Sequence, residues 1–427
     1  MSSLAGKHVL IGITGGIAAY KLPFLVRLLR AQEAEVRILM TPSAEEFVTP
    51  LTLAALSGQA VHHHLVDRQA DQTAWNNHVA HAEWADLMII APATANTLAK
   101  AVQGLCDNLV MATYLSAKCP VLWAPAMDLD MYEHPAVRQN LETLSGWGQC
   151  VMDSPSHTAP NQTRFQCFAG QCVMDSPSGP LASGLSGAGR MAEPEAIFHQ
   201  ARRMLCSNHS PWRGKKILLT SGPTQEPIDA VRFVTNGSSG RMGNAFALAW
   251  SALGAEVTWV HGPSSVQTAA LPGVHYIPVK TADAMLQACQ AVADEQDVMV
   301  FSAAVADYKP SNPLPGKWKK AQGPLAIQWD ENPDVIQTVA ASKKPHQRIL
   351  GFALESTWDE AEALRKCTAK HADAIVLNQA GDPEGGMHTE TNRVALISQA
   401  GISPLPVQSK EDLAWAILDW MVTTWKF

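Results

Sequence analysis

Short runs of aliphatic and β-branched residues alternate with amphipathic segments from one end of the chain to the other. That alternation predicts parallel sheets covered by helices. In the first half the strand candidates are HVLIGIT (8–14), EVRILMT (35–41), ADLMIIAP (85–92) and PVLWAPAM (120–127). IAAYKLPFLVRLLRAQ (17–32) has helical spacing despite Pro23, and ANTLAKAVQGL (95–105) follows the third strand. Polar, Pro and Gly residues then bunch in CSNHSPWRGKK (206–216). Beyond them the pattern restarts with KKILLTSG (215–222), AEVTWVHGP (255–263), DVMVFSAAVADY (297–308), RILGFALE (348–355) and DAIVLNQA (373–380). We therefore expect two α/β domains, 1–205 and 214–427, joined by a linker at 206–213.

Composition agrees with that division. The 427 residues exceed one ordinary core. With 47% hydrophobic and 17% charged residues the chain reads as packed and globular. A net charge of −7 argues against general binding to nucleic acid or anionic membranes. No apolar run approaches the ~18 residues that span a bilayer, and the first residues read as the start of a strand rather than a signal peptide. The eight cysteines are scattered without a CxxC pair, which suits reduced thiols and a cytoplasmic location. GQCVMDSPS occurs at 148–156 and again at 170–178, which reads as a tandem duplication that lengthened one loop. The HHH run (62–64) is read as loop, since adjacent residues do not easily converge on one ion.

Candidate chemistry begins at GITGGIAAYK (12–21), which places Gly12, Gly15 and Gly16 between a strand and a helix. Glycines there let the backbone approach a phosphate. The stretch is not GxGxxG, and the second strand ends in LMTPS rather than in an acid for a ribose hydroxyl, so a mononucleotide such as FMN is favoured over NAD. APATANT (91–97) ends the third strand, where an open sheet binds ligands; Thr94 or Asn96 could equally cap the next helix.

TGGIAAYK, APATANT, PAMDLDMY (125–132) and GLSGAGRMAEP (184–194) resemble, in order and spacing, the flavin-dependent cysteine decarboxylases. The second half narrows the resemblance to bifunctional phosphopantothenoylcysteine decarboxylase/phosphopantothenate–cysteine ligases of coenzyme A synthesis. It implies two Rossmann-like three-layer domains with mainly parallel sheets, an N-terminal flavodoxin-like flavoprotein domain and a C-terminal nucleotide-binding ligase domain. His78 matches the family's active-site histidine, with His81 as the local alternative. Gly15, Gly16, Ile17, Thr41, Ala93, Thr94, Ala95, Asn96 and Thr97 match FMN contacts. Met127, Asp128, Met131, Arg190 and Met191 match contacts to phosphopantothenoylcysteine.

In such enzymes the cofactor carries the redox chemistry of decarboxylation while the protein orients the substrate and supplies protons. This chain departs from the pattern twice: Asp128 stands where the PxMNxxMW motif has Asn, and Ser183 where a flap motif has a proton-donating Cys. A hydroxyl is a far weaker acid than a thiol of pKa about 8.5. An Asp128 kept neutral by burial beside another negative group would donate a hydrogen bond as the amide does, and would supply the missing proton. The alternative is a slow or lost reductive half-reaction.

LLTSGPTQEPIDAVRFVTNGSSGRMG (218–243) matches the ligase string GPTxEPIDxVRxxxNxSSGxMG. The resemblance implies that Asn236 binds an acyl-cytidylate and that Lys317, in GKWKKAQG (316–323), assists amide formation. Ser302, Ala303, Asp307, Lys317, Pro333, Asp334, Val335, Ile336, Phe352, Lys366 and Lys370 match CTP contacts, and Asp307, expected at a strand end, is the Mg²⁺ candidate. Phosphopantothenate, cysteine and CTP are the implied substrates, and homo-oligomers are expected, with trimers of flavin domains assembled further and paired ligase domains. Two other readings stay open: a ligase whose flavin half only binds or oligomerises, and an NAD(P)-dependent dehydrogenase.

Overall fold

The structure is a computed structural model. It describes residues 4–69, 72–147, 171–173, 179–180, 186–187, 189–207, 210–264, 271–382, 385–386 and 389–427. The chain divides into two compact units, residues 2–208 and 209–427.

The first unit is built on six strands in the spatial order β3 (Val61–His62), β2 (Glu35–Met40), β1 (His8–Ile13), β4 (Leu87–Ala93), β5 (Val121–Pro125) and β6 (Gln171–Val173). Every neighbouring pair is parallel. Strand periodicity sorts the core into two layers. Val9, Ile11 and Ile13 face one cluster with α1 (Leu22–Ala31), α2 (Pro50–Ser57) and, at the end of the unit, α8 (Pro194–Cys206). Leu10, Met88 and Ile90 face the other, with α4 (Ala95–Gln103), α5 (Leu109–Ser116) and α7 (Pro135–Trp147). Two further helices are α3 (His78–Trp84) and the short α6 (Leu129–Glu133).

Pro23 begins a helix rather than interrupting one. Ile17–Lys21 is a separate 3-10 turn, and α1 starts at Leu22 with the proline in its first turn, where a missing N–H costs nothing.

The second unit repeats the plan. Its spatial order is β9 (Val274–Pro278), β8 (Glu256–His261), β7 (Lys216–Ser221), β10 (Val298–Phe301), β11 (Arg348–Glu355), β12 (Ala374–Gln379), β13 (Thr391–Ser398) and β14 (Gly401–Ser409). The first six are parallel, and β13 and β14 add an antiparallel hairpin. Helices α9 (Arg241–Ala252) and α13 (Lys410–Trp425) cover one face, and α10 (Ala282–Ala293) and α11 (Val335–Ala340) the other. Helix α12 (Glu360–Ala369) packs on β12 and β13.

Both sheets therefore reverse direction beside their first strand, between β1 and β4 and between β7 and β10. In an open sheet of this order, ligands bind outside the carboxyl ends of the strands at that reversal. The two Rossmann-like domains expected from the sequence are present.

Candidate functional sites

Each reversal point opens into a cavity. The first, of about 1010 Å³, is lined from the carboxyl ends of four strands and from the 189–191 segment. Gly15, Gly16 and Ile17 follow β1, Thr41 and Ser43 follow β2, Thr94, Ala95, Asn96 and Thr97 follow β4, and Met127, Asp128 and Met131 follow β5. Arg190 and Met191 complete the wall.

Local chemistry explains why these segments stay in place. A Cβ on Gly15 would lie 2.7 Å from the Ser43 Cβ, so only glycine lets the two loops approach this closely. The Thr14 hydroxyl donates to the Pro92 carbonyl at 2.6 Å and joins the ends of β1 and β4. Thr94 caps α4, its Oγ1 accepting from the Thr97 N–H, so its capping and cavity-lining roles coexist. Asp128 caps α6, with Oδ1 accepting from the Leu129 N–H at 2.8 Å, and the Met127 N–H donates to the Gly189 carbonyl at 2.9 Å.

The mouth of this cavity carries charge that the sequence did not reveal. Lys21, only 8% exposed, donates to both Glu193 oxygens at 2.8 and 2.9 Å, and Arg190 reaches the same carboxylate at 3.1 Å. Two cations share one anion, so this cluster keeps one surplus positive charge suited to phosphate or carboxylate. The pair is 172 residues apart in sequence, which no local motif signals.

Three expected residues stand apart. His78 opens α3, edge-on to Trp75 with ring centres 6.0 Å apart; it does not line the cavity of its own chain, and its Nδ1 is buried without a hydrogen-bond partner. Ala93 is fully buried in β4 and is absent from the lining. Ser183 lies outside the described residues.

The second cavity, of about 820 Å³, gathers Asn236 to Gly243, Ser302 to Tyr308, Asn332 to Ile336, Phe352, Lys366, Lys370 and Lys410. Asn236 donates its amide to the Val305 carbonyl at 2.9 Å and the Ala304 carbonyl at 3.3 Å, which ties the Gly-rich turn to the segment after β10. Gly240, at φ +75°, forms the left-handed corner before α9. Gly243 lets α9 lie against β7, since a Cβ there would meet the Ser221 Oγ at 2.7 Å. Asp334 caps α11 by accepting from the Gln337 N–H and pairs with Lys370 at 3.0 Å; Lys366 pairs with Glu355 at 2.5 Å.

Asp307 lines the cavity but does not end a strand. β10 stops at Phe301, and Asp307 is exposed in the loop beyond. Among the described residues it belongs to no group of three His, Cys, Asp or Glu side chains able to hold an ion.

Lys317 is exposed on a loop and does not line the cavity. Its neighbour anchors that loop. The Trp318 N–H donates to Asp229 Oδ2 at 3.2 Å, and Arg232 donates to the Trp318 carbonyl. Asp229 also accepts from the Val231 and Arg232 N–H groups at 2.8 and 2.7 Å. Burial opposes its charge, but these three backbone donors and the Arg232 guanidinium prevail and hold the carboxyl down at about 2. Lys410 is the functional candidate the sequence missed. It is 6% exposed, donates to the Gly386 and Thr389 carbonyls, and burial together with Arg241 pushes it down to about 8.

Comparisons with known proteins now bear on these cavities. Residues 1–201 match the Flavoprotein family model, and residues 212–424 match the DNA/pantothenate metabolism flavoprotein C-terminal domain. Over 427 residues the chain is 39% identical to the coenzyme A biosynthesis bifunctional protein CoaBC of Escherichia coli (strain K12), covering 99% of this chain and 98% of that one. The protein of the same name from Bacillus subtilis (strain 168) is 37% identical over 97% of this chain and 96% of its own length. A cysteine/cysteine sulfinic acid decarboxylase from an unknown prokaryotic organism is 38% identical over 88% of this chain and 99% of its own. The crystal structure of a CoaBC C-terminal domain is 34% identical, spans 50% of this chain and 97% of that one, and superposes with a TM-score of 0.43.

Proposed function

The chain belongs to the family of bifunctional coenzyme A biosynthesis proteins, a flavoprotein decarboxylase joined to a ligase, and from that premise we propose how its two cavities divide the work. The dehydrogenase reading is thereby set aside.

The second cavity would take CTP and 4′-phosphopantothenate. A carboxylate oxygen of phosphopantothenate attacks the α-phosphorus of CTP, and pyrophosphate leaves. The cysteine amine then attacks the acyl carbon and displaces CMP. Asn236, fixed by two carbonyls, would orient the acyl-cytidylate, while Lys366, Lys370 and Lys410 face the phosphate charge. Lys317 would enter when its loop closes over the bound nucleotide. Asp307 would supply one carboxylate to Mg²⁺, which prefers one or two carboxylates plus phosphate oxygens and water to an all-protein cage.

The first cavity fits FMN and its substrate. Gly15 lets the loop after β1 close on Ser43 in the loop after β2, which brings both into one wall of the cavity, and Lys21 with Arg190 supplies positive charge beside it. Bound there, the isoalloxazine supplies the two-electron chemistry that lets the cysteinyl carboxylate of phosphopantothenoylcysteine leave. Gly15, Gly16, Ser43 and Thr94–Thr97 would hold the cofactor. Met127, Asp128, Met131, Arg190 and Met191 would hold the substrate, and Asp128, whose Oδ1 accepts from the Leu129 N–H, is the residue to test as the acid in place of the Cys that Ser183 replaces. His78 would reach the site from another subunit; the exposed Ile17, Tyr20 and Phe24 offer apolar surface for such packing. No described helix is long and apolar enough to cross a membrane, and we infer a cytoplasmic enzyme.

What carries this reading is that both cavities sit at strand-order reversals and are walled by the matched motifs. Purified protein incubated with phosphopantothenate, cysteine, CTP and Mg²⁺ should yield phosphopantothenoylcysteine and then phosphopantetheine by mass spectrometry. Accumulation of phosphopantothenoylcysteine alone would leave only the ligase. If Asp128→Asn retains full decarboxylase turnover, Asp128 is not the acid.

A further inference from the structure

The histidine run at 62–64 lies outside both cavities; His62 belongs to a strand, His63 and His64 lie in loop as expected, and the two are nevertheless brought together with a third side chain. Strand β3 ends at His62, so the in-out alternation of a strand stops there. His63 and His64 follow in irregular backbone and turn towards each other, with ring centres 4.5 Å apart and planes tilted by 32°. Glu45, from the 3-10 turn Pro42–Glu46, meets the His63 ring directly at Nδ1. One ligand atom from each of Glu45, His63 and His64 lies within 4.8 Å of the other two. Among the described residues this is the one group of three such side chains.

We propose that Glu45, His63 and His64 form a binding site for a borderline divalent cation of the zinc type, distinct from the nucleotide's magnesium. Two imidazoles and one carboxylate match the donor preference of such ions, whereas magnesium and calcium favour oxygen alone. Bonds of about 2.0–2.2 Å around a tetrahedral ion put ligand atoms roughly 3.4 Å apart. The widest separation therefore closes by up to about 1.4 Å while the Glu45–His63 contact opens to admit the ion, movements within reach of side chains at the surface: Glu45 and His63 are about one-third exposed and His64 is exposed. A water would complete the fourth position. No described Lys or Arg pairs with Glu45, so its charge remains available to the ion. His62 is not part of the set; its ring lies beside that of His81, with centres 5.1 Å apart.

Occupancy would connect the end of β3 to the turn that also carries Ser43, on which Gly15 closes. The ion would thus brace one wall of the flavin cavity without touching the cavity itself.

The test uses the full chain without a histidine tag. Titration with Co²⁺ is followed by visible d–d absorption, and Zn²⁺ then competes it away. One tight equivalent per chain is expected. Glu45→Gln, His63→Ala and His64→Ala should each weaken binding at least about tenfold, the loss that even an outer-shell partner costs. His62→Ala should leave binding unchanged, and the flavin absorption of every variant reports that the unit remains folded. Equal binding by the triple variant, no equivalent bound, or a thiolate-to-cobalt charge-transfer band would each overturn the assignment.

Discussion

Replacing Gly243 with alanine tests whether the contact of α9 with β7 sets the ligase site. The added methyl would overlap the Ser221 Cβ, with its Oγ at 2.7 Å and its Cα at 3.4 Å. Overpacking of this kind costs about 1–3 kcal/mol. The strain falls where α9 begins, beside the Gly-rich turn Asn236–Gly240 that lines the cavity. Expressed wholly in CTP use, it lowers kcat/KM by about 5–150-fold. Ser221→Gly alone should also cost about 1–3 kcal/mol, because the buried Trp259 Nε1 loses the hydroxyl it donates to at 2.6 Å. In the double variant the clashing Cβ and Oγ are gone and the nearest remaining atom is the Cα. The two losses should therefore fall short of their sum by more than about 0.5 kcal/mol. Pyrophosphate release at varied CTP measures each corner of the cycle, and an unchanged flavin content shows that the first unit is untouched. Additive losses, or wild-type kinetics for Gly243→Ala, would refute the packing argument.

Asp229→Asn should release the Trp318 loop and lower ligase kcat, read as pyrophosphate release, while flavin content stays constant. In the wild type the native carboxyl near 2 lies below its unfolded value of about 3.9, so its contribution is complete above pH about 4 and lost as pH falls through about 2; acid unfolding of the variant should lack that component. His81 runs the other way chemically but with the same sign. Burial, with His62 and Arg37, pushes it down to about 4, so the unfolded chain binds more protons between about 6.5 and 4. The melting temperature of the flavoprotein unit should fall across that window, and less steeply in His81→Asn. Lys410 loses its charge above pH about 8, so KM for CTP should rise there, and Lys410→Gln should abolish the inflection.

The strands at 8–13, 35–40, 216–221 and 298–301 were legible because burial on both faces leaves each with a short apolar run: VLIGI, ILM, ILL and VMVF. Strand β9 was not: VHYIP mixes polar and apolar residues at a sheet edge. Nor was the β13–β14 hairpin, where GISPLPVQS carries two prolines. The cavity walls were readable wherever a Gly-rich or Pro-bounded turn follows a strand. Lys21–Glu193 and Asp229–Trp318 were not, since each is a pairing made only once distant segments meet. The objection to His63 and His64 converging rested on their adjacency alone and left out Glu45, which a turn 18 residues earlier brings beside them.

Lys366 and Lys370 are already engaged, with Glu355 and Asp334 respectively. A triphosphate arriving between them does not find bare cations; it exchanges partners with two carboxylates. The charge change on binding is then smaller than a tally of lysines suggests, and so is the number of small ions expelled. Nucleotide affinity should consequently respond weakly to ionic strength, and recognition in this cavity would rest on shape and hydrogen bonding more than on attraction at a distance.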